Sequence, residues 1–422
     1  MAFVQDLDDG PHRVTVDERS FALFRADGRW QALLDRCPHR AARLSDGVLH
    51  DGRLECLYHG WQFGHGGTCL HIPQLLAEQS IPARAHVSAY PVREAQGIVW
   101  LRPDAAEAVD DGAAAADDDV APPLVDALDD EATRSIDFMI DLPYEQSFLI
   151  ENVIDIAHIH VAHHGVRGGG HRDLAAPLEF EVSERRPEGF SASFRSVGLA
   201  LDDAGGAALR GARVAFVAPN LVHYESLYED PTLRSGLALY SAPRGRDRCR
   251  LLYRAYNNFP RLRDRLRPRW LEHWTQCTIL EQDMDVVQGQ VDEMLRAGRP
   301  PRELWLPLKS SDALVIAYRR WLDEHGLGAA QIGFDRLQPA AAARPPTVPF
   351  DRLSMHTEIC TSCTRAHRRL LAARAPLSFA AFTLLAVAAA GGGVPAAATA
   401  LAVAAGRIGI DRLERRFRGR GT

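Results

Sequence analysis

Four residues constrain this 422-residue chain more than anything else in it. Cys37 and His39 stand in Cys37-Pro38-His39-Arg40; Cys56 and His59 follow in Cys56-Leu57-Tyr58-His59-Gly60-Trp61, sixteen residues on. Four such donors can hold zinc, or a two-iron cluster with two Cys on one iron and two His on the other. Zinc sites usually keep Cys with Cys and His with His, whereas here each stretch gives one of each. A [2Fe–2S] centre with distinct irons needs that interleaving, because two loops approach it from opposite sides and each supplies one ligand to each iron. Neutral imidazole in place of charged thiolate raises the potential of such a centre above that of an all-Cys cluster. His50, His65 and His71 have no partner at ligand spacing and are expected on the surface, while Cys69 is expected as a small buried residue.

The surroundings of the four residues read as short strands. Runs at 13–16, 22–25, 30–34 and 97–101 are broken by Gly, Pro and Asp, which predicts a small all-β domain over 1–103. Residues 104–133 begin with a stretch of Ala, Asp and Pro and are expected to be an acidic linker. From 134 to 345 the pattern is mixed. A helix is expected from near Pro143, carrying Phe148, Ile150 and Val153 towards His158. Strand-like runs follow at 178–182, 190–194, 213–217, 221–227, 236–242 and 249–256, then a long helix over 269–296. Its apolar stripe is Trp270, Trp274, Cys277, Leu280, Met284, Val287, Val291 and Met294. The whole is an α+β arrangement. A net charge of −6 gives no reason to expect nucleic-acid binding. Residues 1–10 are acidic and lack the basic and apolar regions of a secretory signal. A cytoplasmic, reducing setting is therefore expected, in which the seven Cys point to metal or redox sites rather than a disulfide scaffold.

The second constellation lies in Glu151-Asn152-Val153-Ile154-Asp155-Ile156-Ala157-His158-Ile159-His160-Val161-Ala162-His163-His164. Two His and one carboxylate can hold a mononuclear non-haem Fe(II) with positions left open for O₂ and substrate. Asp155 and His158 share a helical face at i, i+3. His158 and His163, at i, i+5, can converge on one ion only if the helix ends or bulges between them. His160 and His164 are out of register. A further carboxylate is available on the long helix: Glu281 and Asp283 lie on the two edges of its apolar stripe, and Asp285 points away.

The spacing C-x-H-x16-C-x2-H, with Pro38, Arg40, Tyr58, Gly60 and Trp61 in place, resembles the Rieske domain of the Rieske non-haem iron oxygenases. The run Tyr90-Pro91-Val92 … Gly97-Ile98-Val99-Trp100 resembles the end of that domain, and N-x2-D-x2-H-x4-H resembles the family's mononuclear iron motif. The resemblance implies a Rieske [2Fe–2S] cluster on Cys37, His39, Cys56 and His59, and Fe(II) on His158 and His163. Asp155 would be the bridge to a Rieske histidine. An acid followed by a run like Val286-Val287-Gln288-Gly289-Gln290 is the family register, and it selects Asp283 as third ligand. The resemblance further implies a helix-grip catalytic domain, a head-to-tail homotrimer, and electrons from ferredoxin and ferredoxin reductase, since the chain has no nucleotide-binding G-x-G-x-x-G of its own.

Glu151-Asn152, the run to Gly165, and Cys360-Thr361-Ser362-Cys363 ahead of an uncharged tail resemble the pheophorbide a oxygenase-like branch. The start close to the first Rieske strand and the Ala-rich tail imply a bacterial-type member. The expected activity is monooxygenation of a hydrophobic, pyrrolic or tetrapyrrole-like substrate. The alternatives are an oxidative cyclase of prodiginine-type pigment biosynthesis, and a non-catalytic Rieske electron-transfer or redox-sensing protein.

Residues 346–422 form the tail. Cys360 and Cys363 could be a chance pair, a weak metal pair or a redox pair. Residues 375–406 carry no charged side chain, have Arg clusters on both sides and are interrupted by Gly391-Gly392-Gly393-Val394-Pro395. This predicts a re-entrant hairpin or two short helices attaching the chain to a membrane or a hydrophobic partner, peripheral at the cytoplasmic membrane. The competing expectation is a helix pair packed over the catalytic domain.

Overall fold

The computed structural model describes residues 1–104, 121–166, 169–195, 209–245, 247–259, 266–325 and 351–419. Most of the expected linker (105–120) and the expected domain end at 345 lie outside these residues.

The N-terminal domain is all β, as its short runs predict. One antiparallel sheet pairs His12–Val16, Arg19–Ala26, Arg29–Leu34 and Ala89–Tyr90. A second pairs Val48–His50, Arg53–Glu55, Gln62–Phe63 and Cys69–His71, and a third joins Ala2–Phe3 and Val92–Ala95 to Ile98–Leu101. Alternating residues such as Phe21, Leu23 and Leu33 are buried between these layers.

The second domain is a seven-stranded antiparallel sheet. Its order is Arg134–Leu142, Arg248–Asn257, Ser235–Gly245, Leu221–Tyr228, Leu209–Val217, Gly189–Phe194 and Phe180–Val182. Six strands fall on the expected strand-like runs; Arg134–Leu142 is not among those runs. The helices α1 (Gln146–Ile154), α2 (Ile159–Ala162), α3 (Arg269–Ala297) and α4 (Ala313–His325) accompany the sheet. Cys277, Leu280, Met284, Val287, Val291 and Met294 bury the α3 stripe in the main core. Trp270 and Trp274 continue that stripe in sequence but pack instead with Phe417, Cys360 and Cys363. The base of the tail is thus joined to the second domain.

Arg254 fastens the two domains. Its Nε and Nη2 donate to Asp137 at 2.7 and 2.9 Å, its Nη1 donates to the Gln96 carbonyl, and its guanidinium lies over Phe3. Both members of the ion pair are buried. Arg254→Ala leaves the Asp137 carboxylate buried without its cation, which costs about 3–5 kcal/mol. Denaturant unfolding of the variant measures the loss.

The tail forms two long helices, α5 (Thr361–Val387) and α6 (Gly393–Arg418), which pack on each other. They exceed the short arms expected from the charge-free run, because each continues through charged residues into the protein. Arg374 pairs with Asp411 and Glu414 at 2.9 and 3.0 Å, and Glu414 also meets His367. Beyond this polar base the hairpin is bare. Phe379 and Phe382 are 73% and 72% exposed, with Val394 and Leu401 exposed opposite. The apolar windows of the two helices have mean hydropathies of 1.8 and 1.4 and are almost unburied, so the helices do not lie packed over the second domain.

Candidate active site and its metal centres

The cluster residues sit at the tips of two similar loops. Cys37 N–H donates to Ala42 and Ala41 N–H returns to Cys37, with Ala41 in the left-handed region at φ 58°. In the other loop Cys56 N–H donates to Trp61, Gly60 N–H returns to Cys56, and Gly60 takes φ 72°. A Cβ on Gly60 would meet the Pro73 ring at 3.1 Å, so the position favours glycine twice over. The loops bring His39 and His59 together, ring centroids 4.3 Å apart, with Trp61 stacked on His39 at 4.8 Å. Cys37 and Cys56 are buried. His39 Nδ1 is buried and makes no hydrogen bond, as suits a nitrogen reserved for a metal. Leu57 and Tyr58, beside His59, are exposed. His50, His65 and His71 are exposed and Cys69 is buried, as expected.

The second constellation converges because the helix breaks. α1 ends at Ile154, and Asp155 leaves the helical path at ψ 105°. Its Oδ1 accepts from Ala157 N–H at 2.9 Å, which turns the chain. One helical turn, α2, then separates His158 at its N-cap from His163 at its C-cap. Gly169 and Gly170 lie against this turn: a Cβ on Gly169 would stand 2.2 Å from the His163 carbonyl oxygen.

His158, His163 and Asp283 each offer one ligand atom, all within 4.8 Å of one another. Asp283 Oδ1 is 3.2 Å from His163 Nε2 and 3.6 Å from His158 Nε2. The opposite ring nitrogens fix the aim. His158 Nδ1 donates to the Asp155 carbonyl at 2.5 Å and His163 Nδ1 to Gln282 Oε1 at 3.1 Å, so both Nε2 lone pairs face Asp283. Burial opposes charge on His158, but hydrogen bonding to Asp155 and the Asp283 charge outweigh it and raise its pKa. Of the three acids on α3, Glu281 turns the other way and accepts from Arg352 at 2.6 Å, and Asp285 is exposed. His160 is buried beside Gly170 and His164 is exposed; neither joins the three. Gln282 is the positioning residue that sequence reading misses, since a Gln next to an acid carries no signal of its own.

Family models match both parts of the chain: the Rieske [2Fe-2S] domain over residues 1–91, and pheophorbide a oxygenase over 216–301. Pheophorbide a oxygenase of Arabidopsis thaliana is 30% identical over 403 residues, covering 87% of this chain and 71% of that protein. The chain belongs to the Rieske non-haem iron oxygenases, in the pheophorbide a oxygenase branch. Other members lie nearby. Protein TIC 55 of Arabidopsis thaliana is 35% identical over 327 residues, 76% of this chain. The chain spans 58% of that relative's length and 56% of that of its Pisum sativum counterpart. The crystal structure of dicamba monooxygenase bound to dicamba is 25% identical with a TM-score of 0.62, over 78% of this chain and 96% of that one. Members carry a Rieske [2Fe–2S] cluster and a mononuclear iron, and the donor sets here suit both: two buried thiols and two adjoining imidazoles supplied by the same pair of loops, and two Nε2 atoms facing one carboxylate.

Replacing His59 by Cys in this Rieske domain adds a thiolate charge to the cluster. Its midpoint potential is expected to fall by about 100 mV or more, towards the all-Cys range. A spectroscopic redox titration reads the shift, and an unchanged potential removes His59 from the ligand set.

Proposed function

We propose that the chain is the oxygenase component of an electron-transfer system, acting on a hydrophobic, pyrrolic or tetrapyrrole-like substrate. It would receive electrons singly from ferredoxin and ferredoxin reductase and insert one oxygen atom from O₂. The observation that carries this reading is the convergence of His158, His163 and Asp283 in a chain that also holds a Rieske set. A pure electron carrier has no use for a second donor set with two imidazoles and one carboxylate. The substrate class rests on the pheophorbide a oxygenase relative and on the bare apolar hairpin, which suits an enzyme whose substrate is poorly soluble in water.

In this reading Cys37 and Cys56 hold one cluster iron, His39 and His59 the other, and His158, His163 and Asp283 the mononuclear iron. When bound, the two centres supply single electrons and open coordination positions for O₂. The protein's own part is to aim and to insulate. The Asp155 carbonyl and Gln282 keep the ring protons on Nδ1 of His158 and His163, so both rings present Nε2. The Asp155 carboxylate is about a quarter exposed and lies 3.7 Å from His158 Nδ1, available to a group arriving from outside. A cluster histidine of a neighbouring subunit in a head-to-tail trimer is that group, and exposed Leu57 and Tyr58 beside His59 would pack at the junction.

The test is turnover of pheophorbide a under ¹⁸O₂ with ferredoxin, reductase and NADPH. One ¹⁸O atom in the product supports the reading. Dehydrogenated product without ¹⁸O makes the enzyme an oxidative cyclase, and cluster reduction with no substrate-dependent O₂ uptake makes the chain an electron carrier.

The hairpin is proposed to dip into the cytoplasmic face of a membrane. At 1.5 Å per residue its charge-free arms are about 20–24 Å long, short of the roughly 30 Å hydrocarbon core. Both ends then stay on one side, where Arg374, Arg407 and Asp411 form a polar collar. Excising residues 380–404 and closing the gap with a short Gly-rich turn keeps Phe417 and Glu414 in place. The full chain is expected in the membrane fraction and the excised form in the soluble one. A full chain that is soluble and monodisperse without detergent refutes insertion.

A further inference from the structure

Four more donors meet away from the catalytic site: His273 and, more than eighty residues further on, three within one short stretch. His273 lies on α3, His356 in the turn Leu353–Thr357, Cys360 at the N-cap of α5 and Cys363 in its first turn. All four are buried, and their facing atoms lie within 4.8 Å of one another. His273 Nδ1 is 3.2 Å from His356 Nε2, 3.5 Å from Cys360 Sγ and 3.4 Å from Cys363 Sγ; His356 Nε2 is 3.2 Å from Cys363 Sγ.

The far side of each ring is already satisfied. His273 Nε2 donates to the Asp137 carbonyl at 3.0 Å and His356 Nδ1 to the Met139 carbonyl at 2.6 Å, both on the strand Arg134–Leu142. A carbonyl only accepts, so those nitrogens carry the ring protons and the near nitrogens turn lone pairs towards each other. Thiol hydrogen bonds would pair the four groups two by two. Instead His273 Nδ1 stands almost equally far from both sulfurs and from the other nitrogen, which is convergence on a point. A tetrahedron with Zn–N near 2.0–2.1 Å and Zn–S near 2.3 Å has edges of about 3.3 Å between nitrogens and about 3.5 Å from nitrogen to sulfur. The measured edges lie within a few tenths of an ångström of these. A Cys360–Cys363 disulfide would leave both near nitrogens without a proton or a cation.

We propose that His273, His356, Cys360 and Cys363 hold a structural Zn²⁺ that clamps α3, the Leu353–Thr357 turn and α5 together. Two thiolates neutralise the ion, as a buried position requires. Arg269, 3.6 Å from Cys360 Sγ, favours the thiolate there, and carbonyls of the adjoining strand orient both imidazoles, the arrangement expected behind histidine ligands. The site is closed, with four protein donors and no position for substrate, so it is independent of the oxidation proposed above.

The test is elemental analysis of the full chain, purified without chelators. About one zinc per chain is expected beside about three irons. Zinc-edge X-ray absorption should show two sulfurs near 2.3 Å and two nitrogens near 2.0 Å. Cys360→Ser/Cys363→Ser should lose zinc at least about tenfold while keeping its iron and its Rieske spectrum. The absorption experiment needs no variant, so a double mutant that does not fold leaves the question decidable. Less than about a tenth of a zinc per chain, a fourth iron in its place, an oxygen-only zinc shell, or a Cys360–Cys363 disulfide in protein alkylated at lysis would each overturn the proposal.

Discussion

Asp283→Ala is expected to lower iron from about three to about two per chain and to cut turnover by about a thousandfold or more, with the Rieske spectrum intact. Asp283 Oδ1 is the carboxylate oxygen facing both His158 and His163 Nε2 atoms. No neighbouring acid on α3 can replace it, because Glu281 is turned into Arg352 and Asp285 into solvent. Glu281→Gln is the paired control. It breaks a buried ion pair, so it should cost stability while leaving all the iron in place. Iron analysis beside thermal unfolding separates the two residues, and full iron in Asp283→Ala would remove Asp283 from the site.

The second large effect is expected at Asp155. Asn at this position can still accept from Ala157 N–H through its side-chain oxygen, and the backbone carbonyl that holds His158 is untouched. Only the charge is lost. Asp155→Asn should therefore keep about three irons per chain and yet turn over about 100-fold more slowly. The defect should lie in electron passage: a chemically reduced variant mixed with substrate and O₂ should oxidise its cluster slowly. Loss of iron from this variant would make Asp155 part of the iron's support instead, and normal cluster oxidation would dismiss the bridge.

Much of this architecture is legible in the residues because single-period patterns carry it. The strands Gly189–Phe194 and Leu221–Tyr228 alternate, the central strands Ser235–Gly245 and Arg248–Asn257 read as near-continuous apolar runs, and the α3 stripe from Cys277 to Met294 keeps helical spacing. The strand Arg134–Leu142 does not stand out in the same way. Asp137 and Asp141 interrupt its apolar residues, and the cross-strand partners that explain them, Arg254 and Arg250, lie over a hundred residues away. The helical wheel leaves Glu281 and Asp283 level on opposite edges of the stripe. What separates them in space is Arg352, a residue of the tail. Likewise Cys360-x-x-Cys363 is ambiguous as a string, because His273 hides inside an amphipathic helix and His356 in a stretch without periodicity. Long-range convergence of isolated polar residues is what one-dimensional pattern cannot encode.

Helix α5 is continuous over 27 residues, about 40 Å, and carries Pro376 within its length, with its first turn in the protein interior and its far turns bare. A rod of this kind transmits angular phase. One residue added between Arg374 and Ala375 would rotate everything beyond it by about 100° and advance it by about 1.5 Å. Phe379 and Phe382 would then point to a different quarter, and the register with α6 would slip while both helix ends stayed anchored. The neck of the hairpin therefore works as a mechanical index: its length in residues, more than its composition, sets the direction in which the apolar tip points from the catalytic domain.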